Sequence, residues 1–319
     1  MRRVGGGNPA VGWMIGVVLL IALGILAHGT VGWGALLSPW GEIHPGILAG
    51  AVSLALASFA VRTVRIHEYF RPFTSGRFGT TFRLVLVHNL FNNLLPMRSG
   101  EASFPILMAR EFRVAFVHSI PGLLYLRILD LHFVLFVGAS VLAWQQGPLL
   151  GLLSLLLAPI PLGMFLGQEW LRPRLSAGTG RLSTLVQKAF QGLPASHGLF
   201  WSLWLWTGVN WMVKLLVFAW ILRAFAPMPF SHALLGSTTG ELSSVLPFHG
   251  IAGAGTYEAG VLAGLVPLGV DLDVALRGAV NLHLFLLGVS ILAGSVALLY
   301  GPSSKRPGEN PEKTGIFDE

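Results

Sequence analysis

Eight ionisable side chains lie inside stretches that are otherwise almost wholly apolar: Arg98, Glu101, Arg127, Asp130, Lys214, Glu241, Glu258 and Arg277. An ionisable group at the centre of a helix in lipid costs about 2.5–3.5 kcal/mol on insertion scales. Four acids and four bases therefore invite pairing. Arg127 and Asp130, three apart, share a helix face and can pair locally. On that reading, removing Arg127 harms folding and removing both residues restores it. Arg98 and Glu101 have the same spacing beside a Pro/Gly break, where free backbone donors add to what they can bind. Glu258 has no base close in sequence, and Arg127 and Arg277 are its candidate partners. Lys214 is a candidate counter-charge for Glu241. Guanidinium groups suit bidentate contact with phosphate, so the chemistry favoured is recognition of an anion, with Glu101 and Glu258 balancing charge or exchanging protons.

The elements that must position these residues follow from composition. Of 319 residues, 53% are hydrophobic and 11% charged, whereas soluble domains carry about 25% charged residues. A water-soluble enzyme and a disordered chain are both excluded. The absence of cysteine excludes disulfides and thiolate metal sites. The net charge of +7 would suit nucleic acid, but the basic residues sit between apolar runs, where they orient membrane spans. No nucleic-acid partner is expected. The ten histidines form no metal-ligand motif, so neither a metal nor a cofactor is expected.

About six full transmembrane helices are predicted, each of roughly 20 residues: Val11 to Ala27, Pro45 to Val61, Pro121 to Trp144, Leu149 to Gly167, Leu199 to Leu222 and Arg277 to Tyr300. The first is read as a span, not a signal peptide, because no small-x-small cleavage site ends it. Arg2 and Arg3, the Arg62–Arg83 loop, the Glu169–Gly198 linker and the tail are basic, while Gly29–His44 lacks Lys and Arg. The positive-inside rule then puts both termini in the cytoplasm. A single transmembrane domain over 1–300 is expected, with a disordered cytoplasmic tail over 301–319.

Two apolar segments begin and end on one side of this topology, Leu84 to Ala109 on the cytoplasmic side and Ala233 to Pro267 on the outer side. They read as oppositely oriented re-entrant hairpins. Pro96 and Gly100 break the first, and Pro247, Gly250, Gly253 and Gly255 break the second. Broken backbone at membrane depth must be covered by protein or line a watery cavity, and such breaks point to transport sites. Asn92-Asn93-Leu94-Leu95-Pro96-Met97-Arg98 aligns with Ser243-Ser244-Val245-Leu246-Pro247-Phe248-His249, and Arg127 and Arg277 follow the two prolines by 31 and 30 positions. The expected fold class is thus an all-α polytopic membrane protein whose hairpins belong to an inverted repeat, about 45–145 and about 199–300. The Gly253-Ala254-Gly255 run is expected to offer backbone N–H groups to an anion.

At these motifs the sequence resembles the lysylphosphatidylglycerol synthase transmembrane-domain family, also called flippase-like or UPF0104. An N-x-x-x-P-x-R-x-G-E signature is met by Asn92, Pro96, Arg98, Gly100 and Glu101, and an R-x-x-D by Arg127 and Asp130. An L-P followed by G-G-x-G-x-x-E is met by Leu246, Pro247, Ala252-Gly253-Ala254-Gly255 and Glu258, with Ala252 replacing the first glycine and His249-Gly250-Ile251 resembling an insertion. The resemblance implies a multi-pass inner-membrane protein that moves a lipid between leaflets, with a phospholipid, hopanoid or polyprenyl-linked lipid as substrate. Expected substrate-binding residues are Asn92, Arg98, Glu101, Arg127, Asp130, Glu241, Gly253, Gly255, Glu258 and Arg277. A lipid-synthesis enzyme is a candidate partner. Relatives that aminoacylate lipid do so on a soluble domain, and no stretch here is long and polar enough to be one, so synthase activity is not carried over. An intramembrane transferase acting on a lipid-linked substrate is the alternative, with Glu101 or Glu258 as base. Against it, the sequence has no acidic metal-binding cluster and no large outer loop.

Overall fold

Proline, glycine and short polar caps mark where the apolar runs start and stop as helices. The computed structural model describes residues 9–147, 152, 156–157, 159–167, 192–194, 196–244 and 250–300, and among these there is no strand. Helix α1 (Pro9–Thr30) ends at Gly32, whose φ of 79° suits glycine. The chain then turns through Trp33–Leu37 and Pro39–Glu42, a bend of 99°. Helix α2 (Pro45–Tyr69) starts at His44, whose Nδ1 accepts from the Gly46 N–H at 3.1 Å. Helix α3 (Phe78–Leu94) runs into a 3-10 turn (Pro96–Ala102) and then α4 (Ser103–Phe112). Next come α5 (Phe116–Gln146) and α6 (His197–Phe225), the latter capped by Ser196. The last group is α7 (Phe230–Ser243), α8 (Thr256–Leu265) and α9 (Leu272–Leu299).

The polytopic, all-helical expectation holds. Five stretches among the described residues are long and apolar enough to cross a membrane, or six if the bent pair Val17–Thr30 and Trp33–Glu42 is one span. Five of the expected spans correspond to α1, α2, α5, α6 and α9. The expected span over 149–167 lies largely outside the described residues, with Ile160–Leu166 helical; the linker over 169–198 and the tail lie largely or wholly outside them. Ile251–Leu268 passes the test of length and apolarity, yet its continuous helix is the ten-residue α8. At 1.5 Å per residue that is about 15 Å, half the roughly 30 Å hydrocarbon core.

Both broken segments fold back on themselves. In the first, α4 returns beside α3, with Phe104 and Met108 packed in one cluster with Leu84 and Val85. In the second, α7 and α8 are antiparallel and meet through Gly236 and Gly240 on one helix, Gly260 and Gly264 on the other. Two facing G-x-x-x-G pairs let backbones approach closely in lipid. A Cβ on Gly264 would lie 2.3 Å from Thr239 Oγ1 and 3.2 Å from the Leu235 carbonyl. Gly264→Ala should therefore destabilise the protein by about 1–3 kcal/mol through overpacking. Gly24→Ala, with nothing within 4 Å of the added carbon, should be neutral or mildly stabilising. Retention of a monodisperse peak after graded heating in detergent compares the two.

Helix α9 joins the two hairpins. Its first half holds α8 through His283 and Glu258, and its second half runs antiparallel to α3, with Ser290 against Asn93 and Ala297 against Arg83. The hairpins thus lie on opposite halves of α9 and their breaks meet. Arg98 Nη1 in the first break donates to the Ser244 carbonyl at the end of α7, at 3.1 Å. Among the described residues of each break one non-glycine residue lies in the left-handed region, Arg98 (φ 54°) and Ala252 (φ 52°), a conformation that persists only where surroundings impose it. Gly100 is needed here because a Cβ would stand 2.3 Å from the Phe91 carbonyl.

Candidate functional site

Where the breaks meet, α2, α3, α5, α6, α7, α8 and α9 surround a cavity enclosing about 1140 Å³ of empty space, part of it open. Its charged lining is Arg62, Arg98, Arg127, Asp130, Lys214 and Glu241. Two guanidinium groups converge on Glu101: Arg98 Nη2 at 2.6 Å and Arg127 Nη2 at 3.0 Å from Oε1. Arg127 also reaches Asp130 at 3.2 Å, so it bridges the first hairpin to α5. His88 steadies this bridge. Its Nε2 accepts from Arg127 at 3.2 Å while Nδ1 lies 2.9 Å from Ser103 Oγ, whose own proton goes to the Gly100 carbonyl. With Nε2 an acceptor, the ring proton is on Nδ1.

The expected Arg127–Asp130 pair is present but is not the main partnership of Asp130. Arg65 on α2 grips that carboxylate with two bonds, 2.6 and 3.2 Å, and Trp211 Nε1 donates to it at 2.9 Å. Arg65 also donates to Thr207 on α6 at 3.0 Å. Deleting both Arg127 and Asp130 would therefore strand Arg65, and the expected rescue does not follow.

The structure corrects the sequence reading of Arg62 and Arg65 as part of a cytoplasmic loop. α2 continues to Tyr69, and these two arginines are 8% and 2% exposed. Ser58, Arg62 and Arg65 sit at i, i+4 and i+7, a helical stripe that was visible in the sequence. Arg62 is held only by Asn89 Oδ1 at 3.2 Å, and its Nε has no partner among the described residues. No carboxylate among the described residues lies within ion-pair distance of it. Asn89 and Asn93 both donate to Ser290 Oγ, and Asn92 Oδ1 and the Tyr257 hydroxyl, both on the cavity wall, are also without partners there.

The second hairpin answers the remaining expectations differently. Lys214 and Glu241 pair at 2.5 Å, with the ammonium over the Trp211 and Phe218 rings. Glu258 does not pair with Arg127 or Arg277. Its Oε1 lies 2.7 Å from His283 Nδ1, and Oε2 accepts from the Gly255 N–H at 2.8 Å. The Gly253-Ala254-Gly255 backbone offers nothing to an anion, since its three N–H groups bond to Gly250, Ile251 and Glu258. Arg277 does not line the cavity. It sits one turn before Asn281, which ties α9 to Leu36 and Trp40. Asn92, Arg98, Arg127, Asp130 and Glu241 thus share the cavity, with Glu101 and Glu258 bonded just behind its wall.

Five basic side chains, Arg62, Arg65, Arg98, Arg127 and Lys214, surround the carboxylates Glu101, Asp130 and Glu241, with Glu258 held by His283 just behind the wall. A surplus of basic over acidic side chains in a polar cavity between broken helices marks a multi-pass membrane protein. The chain belongs to the family described as Lysylphosphatidylglycerol synthase TM region, which it matches over residues 13–294. No curated protein and no solved structure matches it.

Proposed function

We propose that this protein moves a lipid with an anionic head group between the leaflets of the inner membrane. The observation that carries the reading is the cationic surplus in the cavity, above all the uncompensated Arg62 guanidinium. Arg62, Arg98 and Arg127 would take the phosphate, Asn92 and Tyr257 would take uncharged head-group atoms, and the acyl chains would stay in lipid. The opposed hairpins and the tip contact between Arg98 and Ser244 support an inverted repeat, in which rocking one half against the other opens the cavity to each side in turn. The substrate is a phospholipid or a polyprenyl- or hopanoid-type lipid, delivered by a lipid-synthesis enzyme. The decisive experiment reconstitutes the purified protein in liposomes with labelled lipid. Transfer of label between leaflets at unchanged lipid mass supports the proposal; a change of mass would instead mark a transferase.

The same proposal has both termini in the cytoplasm, as the positive-inside rule favours. The chain lacks cysteine, so single introduced cysteines report topology without background. Ser75 and Gly41 are exposed. Ser75→Cys should react with an impermeant thiol reagent only from the cytoplasmic side and Gly41→Cys only from outside. Labelling of Ser75→Cys in intact cells would reverse the orientation.

A further inference from the structure

Of the four buried or half-buried carboxylates around the cavity, three have an arginine or lysine partner. Glu101 has Arg98 and Arg127, Asp130 has Arg65 and Arg127, and Glu241 has Lys214. Glu258 is different. It is 2% exposed, no arginine or lysine among the described residues lies within ion-pair distance of it, and its partner is His283. That partner can gain or lose its charge, whereas guanidinium cannot.

The geometry points to Glu258 and His283 as a proton-binding dyad that couples one proton to each anionic head group moved. Its lipid half rests on the function proposed above. Glu258 Oε1 and His283 Nδ1, 2.7 Å apart, share one proton, and the contact survives a change of charge. His283 lines the cavity, and its Nε2 has no partner among the described residues. A proton arriving from the cavity adds to Nε2, Nδ1–H stays on Oε1, and the charge of the dyad goes from −1 to 0. No hydrogen bond breaks. Before uptake, the dyad removes one charge from the cavity's cationic surplus; after uptake, the full surplus faces the head group. Proton and anion thus favour each other's binding, and the coupling is reciprocal. The groups facing the dyad fit this role. Its own helix contributes Tyr257, whose ring lies against His283 at 4.7 Å. Helix α7 contributes Glu241, already held by Lys214 of α6, and the first break contributes Arg98 across the cavity. Helix α1, whose Leu19 approaches Gly255, has no titratable side chain before His28. His249 lies outside the described residues.

One proton with one monoanionic lipid carries no net charge, so transport should follow a pH gradient and ignore the membrane potential, which acts on net charge. The first test needs no lipid. Imidazole nitrogen NMR of the histidine-labelled protein in detergent should show one ring, identified by its loss in His283→Gln, gaining a second N–H as the pH is lowered. A ring that keeps a single N–H throughout overturns the dyad. The second test uses phosphatidylcholine vesicles with a trace of acyl-labelled phosphatidylglycerol. A gradient of one pH unit should bias the leaflet ratio by up to about tenfold, and a potassium diffusion potential should leave it unchanged. In His283→Gln, and in Glu258→Gln as a second variant that keeps an acceptor for Gly255, the ratio should fall to one. Movement by the native protein with no response to pH overturns the coupling. No movement of this lipid under any condition counts against the lipid-transport reading instead, while the imidazole titration still decides the dyad.

Discussion

Asp130→Ala should be the most damaging single substitution in the cavity, and Asp130→Asn nearly as damaging. The carboxylate satisfies two bonds from Arg65, one from Arg127 and one from the Trp211 indole, in a place where its side chain is 6% exposed. Removing one partner of a buried pair typically costs about 3–5 kcal/mol, because the other charge stays buried. Here Arg65, 2% exposed, would be left with only Thr207. Arg127→Ala should cost less, since Asp130 keeps Arg65 and Glu101 keeps Arg98. The order expected for thermal stability in detergent is native, then Arg127→Ala, then Asp130→Ala. Adding Arg127→Ala to Asp130→Ala should recover nothing, whereas adding Arg65→Ala should recover part of the loss. Equal stability of the two single variants would show that Arg65 is not the principal partner.

The absence of rescue departs from the expectation drawn from sequence, and the reason is physical. Spacing identifies partners on one helix, as it does for Arg127 with Asp130 and Arg98 with Glu101. Partners on other helices depend on how those helices pack. Arg65 meets Asp130 from 65 positions away, and His283 meets Glu258 from 25. The family motifs, the two breaks and the helical class were legible because proline, glycine and apolar length act locally. α2 was cut short for a related reason. Charge often marks the membrane edge, but a charge that faces a polar cavity can stay within a helix. Ser58, Arg62 and Arg65 on one stripe were the signal for that alternative. The Gly253–Gly255 segment misled in the opposite direction. Glycines suited to cradling an anion serve here as the turn that starts α8, with Glu258 reaching back to bond the Gly255 N–H.

Arg62→Gln should make the protein more stable and less active. In the native chain Arg62 is 8% exposed, bonded among the described residues only to the neutral Asn89 amide, and has no carboxylate at ion-pair distance there, Asp130 lying further off. A buried charge without a partner opposes folding, with insertion costs of about 2.5–3.5 kcal/mol for arginine at a helix centre as an upper measure. Glutamine keeps an amide donor for Asn89 and removes that charge. The midpoint of thermal unfolding in detergent should therefore rise, opposite in sign to Asp130→Ala although both residues line one cavity. Lipid movement should fall by an order of magnitude or more, since a charge-assisted contact with phosphate is worth about 1.5–3 kcal/mol. The paired readout separates structural from functional charge. A structural arginine would lose stability on substitution, and an idle one would leave transport unchanged. Either result would remove Arg62 from the site. Persistence of a destabilising buried charge is explained if the chain retains it for the anion that it binds.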